Sequence, residues 1–103
     1  MSTRPSVIRV AGRDWSVVTA DLSDIQAVGL SDPATHTITL HPGQSLVNEQ
    51  DTLLHEVMHA ILRQQGRPYT AAEERYVTAL ATGLLGTLHD NPSLVRFLTR
   101  KRR

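Results

Sequence analysis

The spacing of apolar residues changes once along this chain, and the change separates a strand-forming part from a helix-forming part. Before about Leu46, short runs alternate between apolar and polar residues and are rich in β-branched side chains, which is typical of half-buried strands. After Leu46, apolar residues recur every three or four positions, which is typical of amphipathic helices. A chain with its strands first and its helices second is predicted to adopt an α+β fold.

The first part predicts a small antiparallel β-sheet. The predicted strands cover residues 7–10, 15–18 and 36–40. Turns are predicted at residues 11–14, 31–35 and 41–43, which are rich in Gly, Pro, Asp and Ser. Residues 21–28 fit either a short helix or, from Gln26 to Leu30, a further strand.

The second part predicts three helices. The first runs from about Leu46 to the helix breakers Gly66 and Pro68. The second runs from Thr70 or Ala71 to His89, and a short last helix covers residues 93–99. The side chains predicted to be buried on the second helix are Val77, Leu80, Ala81, Leu84, Leu85 and Leu88. Those predicted to face inward on the last helix are Leu94, Val95, Phe97 and Leu98.

Residues 55–59 read His-Glu-Val-Met-His and carry most of the functional information in the sequence. In a helix, the side chains of His55 and His59 leave the same face and can bind one metal ion. Glu56 borders that face and could take the proton of a water at an open position of the metal. The motif lies in the middle of the first predicted helix, which is the setting that this chemistry needs.

A catalytic zinc ion generally has three protein ligands and one open position. A third histidine in the pattern H-E-x-x-H-x-x-G-x-x-H is excluded, because Gln65 stands there. The next candidates are Glu73 and Glu74, at the start of the second helix. We favour Glu74, since the residue seven positions later is the small Ala81 and the residue four positions later is Thr78, which could hydrogen-bond to a ligand. Glu73 stays open as the alternative third ligand, and the carboxylate that is not used is expected to be solvated.

The motif at residues 55–59 followed by Glu74 resembles the gluzincins, metallopeptidases whose third zinc ligand is a glutamate on a later helix. In such families a bulky apolar, a small and an apolar residue often follow that glutamate, as Leu80, Ala81 and Leu84 do here. Thr78 departs from the acidic or amide residue that many of them have four positions after it. In size and order the chain is similar to the minimal gluzincins, to small metallopeptidase-like proteins of actinobacterial phages and prophages, and to ImmA/IrrE-type proteases. The resemblance covers about residues 38–92.

The resemblance implies a zinc metalloendopeptidase with one catalytic Zn²⁺ held by the two histidines and Glu74. Glu56 would then act as the general base that moves the proton of the attacking water. Gluzincins commonly use a downstream histidine or tyrosine to stabilise the oxyanion, and Tyr69 and Tyr76 are candidates for that role in this chain.

The substrate is expected to be a peptide or protein that lies extended along the strand from His36 to Leu40, just before the motif helix. The alternative is a zinc-binding structural or regulatory protein of a phage or prophage, with little or latent peptidase activity. This second hypothesis arises because so short a chain leaves few residues to build substrate pockets.

Length and composition restrict the remaining possibilities. The 103 residues predict one domain, and the lack of cysteine excludes disulfides and thiolate metal sites. A formal net charge of +1 gives no footprint for nucleic acid or membrane, apart from a basic tail at about residues 100–103 that we expect to be flexible. The sequence has no apolar run of the roughly 18–20 residues that span a bilayer. We therefore expect a soluble, cytoplasmic protein that does not associate with membranes. Binding to nucleic acid is not favoured by this composition.

Overall fold

The computed structural model describes residues 4–101, so part of the basic tail predicted at about residues 100–103 lies outside the described residues. The elements are, in chain order, β1 (Val7–Val10), β2 (Arg13–Thr19), a 3₁₀ turn (Ser23–Ile25), β3 (Gly29–Asp32), β4 (Thr37–Leu40), α1 (Leu46–Gln64), α2 (Ala71–Asp90) and α3 (Pro92–Leu98). The predicted α+β class, with the strands at the N-terminal side of the helices, is confirmed. No helix in the described range 4–101 is long and apolar enough to cross a membrane.

The four strands form one mixed sheet in the order β1-β2-β4-β3. β1 pairs with β2 and β3 pairs with β4 in antiparallel fashion, but β2 and β4 run parallel. The prediction of a wholly antiparallel sheet is therefore wrong at the central pair. The chain enters β3 first and returns through a hairpin, which brings β4 beside β2 in the same direction.

The boundaries of β3 differ from those predicted from the sequence. Ser31 and Asp32, predicted to lie in a turn, are the last two residues of this strand, and the turn occupies residues 33–36. Asp32 stabilises the turn that follows it, since its Oδ1 accepts a hydrogen bond of 2.9 Å from the Ala34 N–H. His36, predicted to start a strand, lies in the turn with a left-handed φ of 51°.

One face of the sheet packs against α1, and this contact forms the hydrophobic core. The buried residues of that core are Val10, Trp15, Val17, Ile38, Leu40 and Ala60. α1 contacts β1, β3 and β4 as well as α2, so it lies between the sheet and α2. The central helix therefore has a sheet-facing side and an α2-facing side, and the motif at residues 55–59 sits between two packed layers.

The predicted burial of α2 and α3 is only partly correct. Val77 and Ala81 are buried, but Leu80 is 61% exposed and Leu84 is 39% exposed. On α3, Leu94 and Val95 are half-buried, whereas the predicted inward positions of Phe97 and Leu98 are wrong, since both are exposed. The physical reason is that α2 forms the outer layer, with α1 covering one of its sides.

Candidate metal centre

The two histidines of the motif lie on α1 with their rings in an edge-to-face arrangement, 4.8 Å between centroids. Ser45 caps the start of this helix by accepting a hydrogen bond from the Asn48 N–H, and left-handed Gly66 follows its end. His55 and His59 are therefore in the regular middle of the helix, on one face. Their Nε2 atoms are 3.1 Å apart. Two ring nitrogens this close together can bind the same metal ion.

Glu74, in the first turn of α2, brings its carboxylate to the same point. Its Oε1 is 2.7 Å from His55 Nε2, and its Oε2 is 3.1 Å from His59 Nε2. Each of the three residues offers one ligand atom, and these atoms all lie within 4.8 Å of one another. Ligands held tetrahedrally at about 2.0–2.1 Å from zinc are about 3.3 Å apart, so the group needs only a small expansion to fit that ion.

Glu73 occupies a different place from the one expected of it. The sequence predicts that the carboxylate not used as a ligand is solvated, but Glu73 is buried and its Oε2 lies 2.6 Å from His59 Nδ1. Its Oε1 accepts a hydrogen bond from Arg63, one turn after His59 on α1. Consecutive positions on a helix point about 100° apart, so Glu73 and Glu74 reach the two opposite nitrogens of one imidazole ring.

The charge on Glu73 fixes the tautomer of His59. Burial acts to raise the pKa of Glu73, but the hydrogen bonds from His59 and Arg63 outweigh it and hold this pKa below its ordinary value. An ionised carboxylate can only accept, so His59 Nδ1 must carry a proton. In the neutral ring this tautomer leaves the lone pair on Nε2, the nitrogen that faces His55 and Glu74, as a metal ligand requires.

Glu56 lies on the side of α1 that faces β3. It is buried, and its Oε1 accepts a hydrogen bond of 2.8 Å from the Ser31 hydroxyl. Burial raises the pKa of the Glu56 carboxyl, although Ser31 and the two histidines oppose the shift. No hydrogen bond to Oε2 is found among the described residues. The carboxylate is held at one oxygen and can exchange a proton at the other.

Gly29 allows β3 to approach α1 this closely. A Cβ built at Gly29 would lie 2.6 Å from Thr52 Cγ2 and 3.0 Å from both Cγ and Oε2 of Glu56. A side chain at this position would therefore push the strand away from the helix. Because Ser31 is on the same strand, the hydrogen bond to Glu56 depends on the missing side chain of Gly29.

A cleft of about 690 Å³ opens onto these residues. One wall is formed by residues 26–31 and Pro33, and the other by side chains of α1 together with Tyr69 and Glu74. Both histidines and Glu56 line the cleft. A ligand that enters it would meet the general-base candidate and the three candidate ligands together.

The remaining predicted residues differ in how close they are to this cleft. Tyr69 lines it, with its ring centroid 6.2 Å from that of His59. Tyr76 is 68% exposed and is absent from the cleft lining. Thr78 donates a long hydrogen bond of 3.4 Å to Glu74 Oε1.

The strand expected to receive a substrate cannot do so by edge pairing. β4, which contains most of the segment from His36 to Leu40, is hydrogen-bonded to β2 on one side and to β3 on the other. The edge strand beside the motif helix is β3. Any extended peptide that adds a strand next to Glu56 would have to pair with β3. This corrects the expectation that a substrate pairs with the strand from His36 to Leu40.

Three residues that contribute to the site were not predicted from the sequence: Gly29, Ser31 and Arg63. Arg63 continues the four-residue spacing of His55 and His59, and that spacing is a signal that could have placed it on the same face. Gly29 and Ser31 carry no such signal, since their role depends on which strand packs against α1.

Comparison with known proteins identifies no relative of this chain. No protein-family model, curated protein or solved structure matches this chain. The resemblance to gluzincins therefore rests on the motif residues and their geometry.

The contact between Glu73 and His59 gives a first prediction. Replacing Glu73 with Gln keeps the size of the side chain but removes the charge that fixes the His59 tautomer. Zinc affinity, measured by competition with a chromogenic chelator, is expected to fall by about 10–100-fold. Glu49→Gln, the same change at the start of α1, should leave the affinity unaltered. Equal affinity of Glu73→Gln and wild type would contradict the orienting role.

The packing of β3 on α1 gives a second prediction. Gly29→Ala is expected to lower the free energy of unfolding by about 1–3 kcal/mol, because the added methyl group overlaps Thr52 and Glu56. Denaturant unfolding of the metal-free protein measures this. Gly83→Ala on α2 is the matched control, since a Cβ there has no described heavy atom within 4 Å. The control should be neutral or stabilising by up to about 1 kcal/mol, and a Gly29 variant that behaves like it would refute the close contact.

The buried carboxyl of Glu56 gives a third prediction, on pH. Its pKa is higher in the folded than in the unfolded protein, so ionisation opposes folding and stability is lost as the pH rises through the folded-state pKa. In the absence of metal, Glu56→Gln should match wild type in acid, where both side chains are neutral. It should be the more stable of the two above the raised pKa. The difference in unfolding free energy between Glu56→Gln and wild type, measured across the pH range, tests this. A variant that loses stability relative to wild type as the pH rises would contradict the prediction.

Proposed function

We propose that this chain is a zinc-dependent peptide hydrolase of the gluzincin type. The observation that carries the proposal is the convergence of His55, His59 and Glu74 at one point, with the buried carboxyl of Glu56 on the adjacent part of α1. Two imidazole nitrogens and one carboxylate are a ligand set found in catalytic zinc sites, which keep a further position open.

Zinc, when bound, would supply positive charge that lowers the pKa of a water and polarises the carbonyl of the scissile bond. Glu56 takes the proton of the attacking water and transfers it to the leaving amine. The raised pKa of Glu56 suits both steps, because a carboxyl that is too acidic would hold the proton poorly. Ser31 keeps the carboxylate in place through Oε1.

The free edge of β3 is proposed to bind the substrate backbone. The Val28 C=O accepts a hydrogen bond of 2.9 Å from the His41 N–H, so the backbone groups of Val28 point towards β4. In an antiparallel pair the direction alternates, and the backbone groups of Gly29 and Ser31 therefore point away from β4, into the open edge. A peptide added there would pass directly beside Glu56.

Tyr69 is proposed to assist the developing oxyanion. It is the tyrosine that lines the cleft, and the guanidinium of Arg63 lies 5.7 Å from its ring centroid. A cation above the ring face limits the orientations that the side chain can adopt. Tyr76, the other candidate in the sequence, is not among the residues that line the cleft.

The experiment that tests the function separates metal binding from catalysis. Wild type, loaded with zinc, is incubated with a mixed library of unstructured peptides, and cleavage is followed by mass spectrometry. Glu56→Gln is expected to keep about one zinc per chain and to lose cleavage by about 10²–10⁴-fold. His59→Ala is expected to lose both the metal and the activity. Glu49→Gln, the control on the same helix, should retain both.

The alternative, a zinc-binding protein without peptidase activity, predicts a different pattern. Wild type would then contain stoichiometric zinc, lost in His59→Ala, but would cleave no peptide in the library. Cleavage that persists in Glu56→Gln after removal of contaminating proteases would contradict the proposed mechanism. Wild type free of zinc after incubation with excess metal would contradict both functions.

A further inference from the structure

Asp51 is a charged residue of the cleft that the proposed mechanism does not use. It lines the cleft together with His55 and Glu56, and its side chain is half-buried. Its Oδ1 accepts a hydrogen bond of 2.9 Å from the Thr82 hydroxyl of α2. No hydrogen bond to Oδ2 is found within the described range 4–101. One oxygen of Asp51 is therefore held by α2, and the other is available to a ligand in the cleft.

Asp51 lies on the same side of α1 as the two candidate histidine ligands. Residues 51, 55 and 59 follow one another at four-residue spacing, so each is rotated by about 40° from the one before. This spacing places Asp51 about 6 Å from His55 along the helix axis. α2 has a matching row, since Thr82 contacts Asp51 and Glu74 contacts both histidines. Asp51 therefore occupies the next position along the cleft from the metal centre.

The charge of Asp51 is not accounted for by an ion pair or by the proposed chemistry. The other charged residues that line the cleft are Glu56, Arg63 and Glu74. Glu56 and Glu74 are the proposed general base and metal ligand, and Arg63 is paired with Glu73. Asp51 forms no ion pair with any residue that the structure describes. This end of the cleft therefore carries a negative charge that a cationic group of a ligand would compensate.

The stability of α1 does not explain an aspartate at this position. Asp51 is the sixth residue of the helix and lies beyond the first turn, the part in which the helix dipole stabilises a negative side chain. Aspartate is also among the poorer helix formers at interior positions. The hydrogen bond from Thr82 could be accepted equally well by the uncharged amide of asparagine. Neither the helix nor its contact with α2 therefore requires the negative charge.

An extended peptide on the edge of β3 would bring a side chain to Asp51. β3 runs beside α1, since Gly29 approaches Thr52 and Ser31 hydrogen-bonds to Glu56. A peptide along β3 that reaches Gly29 is therefore next to the turn of α1 that contains Asp51. An extended chain rises about 3.3 Å per residue, so the offset of about 6 Å from the metal ligands corresponds to about two residues.

We propose that Asp51 binds a lysine or arginine side chain of the substrate, about two residues from the scissile bond. The cationic group donates a hydrogen bond to Oδ2 and compensates the charge of the carboxylate. The inference rests on the proposed peptidase function, because it assigns a substrate class to the same cleft. Hydrogen bonds between charged groups are stronger than neutral ones, so a preference of about tenfold or more is expected over an uncharged side chain.

Peptides that differ at one position test this preference. Uncharged host peptides with blocked termini carry a single lysine, or a single norleucine, at each position in turn. For zinc-loaded wild type, kcat/KM is expected to be about tenfold higher with lysine at one position, about two residues from the cleaved bond.

Substitutions at Asp51 identify the residue responsible. In Asp51→Asn, which keeps the acceptor for Thr82, the preference for lysine over norleucine should disappear. Asp51→Lys should instead prefer glutamate to norleucine at the same position. Asp90→Asn is the matched control, the same change at the end of α2 and outside the cleft lining, and it should keep the wild-type preference.

A binding measurement separates this inference from the peptidase proposal. Zinc-loaded Glu56→Gln is titrated with the same peptides, fluorescently labelled, and anisotropy is expected to show about tenfold tighter binding of the lysine peptide. The double variant Glu56→Gln with Asp51→Asn should lack this difference.

The outcomes distinguish the two proposals. Cleavage by wild type with no lysine preference, or with a preference that survives in Asp51→Asn, would overturn the role of Asp51 and leave the peptidase function standing. Absence of cleavage together with an Asp51-dependent preference in binding would contradict the peptidase and support the cation-binding role. Absence of both cleavage and charge-dependent binding would overturn both.

Discussion

The contact of His59 with Glu73 and Glu74 is the interaction on which the rest of the site depends. α2 begins directly against the middle of α1, and its first turn places one carboxylate at each nitrogen of a single ring. Arg63 holds the buried carboxylate, that of Glu73, from the next turn of α1. Because an unpaired charge at this depth would cost several kcal/mol, removal of either Arg63 or Glu73 leaves its partner poorly satisfied. The same contact therefore fixes the packing of two helices and the lone pair of a candidate metal ligand.

The sheet constrains the other side of α1 in a similar way. β3 can approach the helix because Gly29 has no side chain, and the approach buries Glu56 and brings Ser31 within 2.8 Å of it. α1 thus presents its candidate base, Glu56, to the strand side, and its two histidines meet the third candidate ligand, Glu74, on the α2 side. Adjacent residues of α1 therefore face two different layers, Glu56 the sheet and the histidines α2. The cleft lies where these two layers meet.

Local signals in the sequence predicted what depends on local structure. The caps and breakers place α1 and α2 to within a residue or two, and the four-residue spacing places His55 and His59 on one face. The parallel pairing of β2 with β4 could not be predicted in this way, since it depends on the order in which distant strands meet. The buried position of Glu73 was missed for the same reason. Two adjacent glutamates look alike in sequence and differ only in their direction relative to α1.

The distribution of buried polar groups is itself an argument about function. Among the described residues, the buried polar or charged side chains are Thr52, Glu56, His59 and Glu73. All of them line the cleft or contact a residue that does. Burying such groups costs free energy even when each has a partner, and apolar residues of similar volume would stabilise so small a core more effectively. Stability alone therefore does not explain why three of these groups are concentrated on one stretch of α1 with Glu73 of α2 against them, whereas the proposed site, which would bind a cation and move a proton, requires them there.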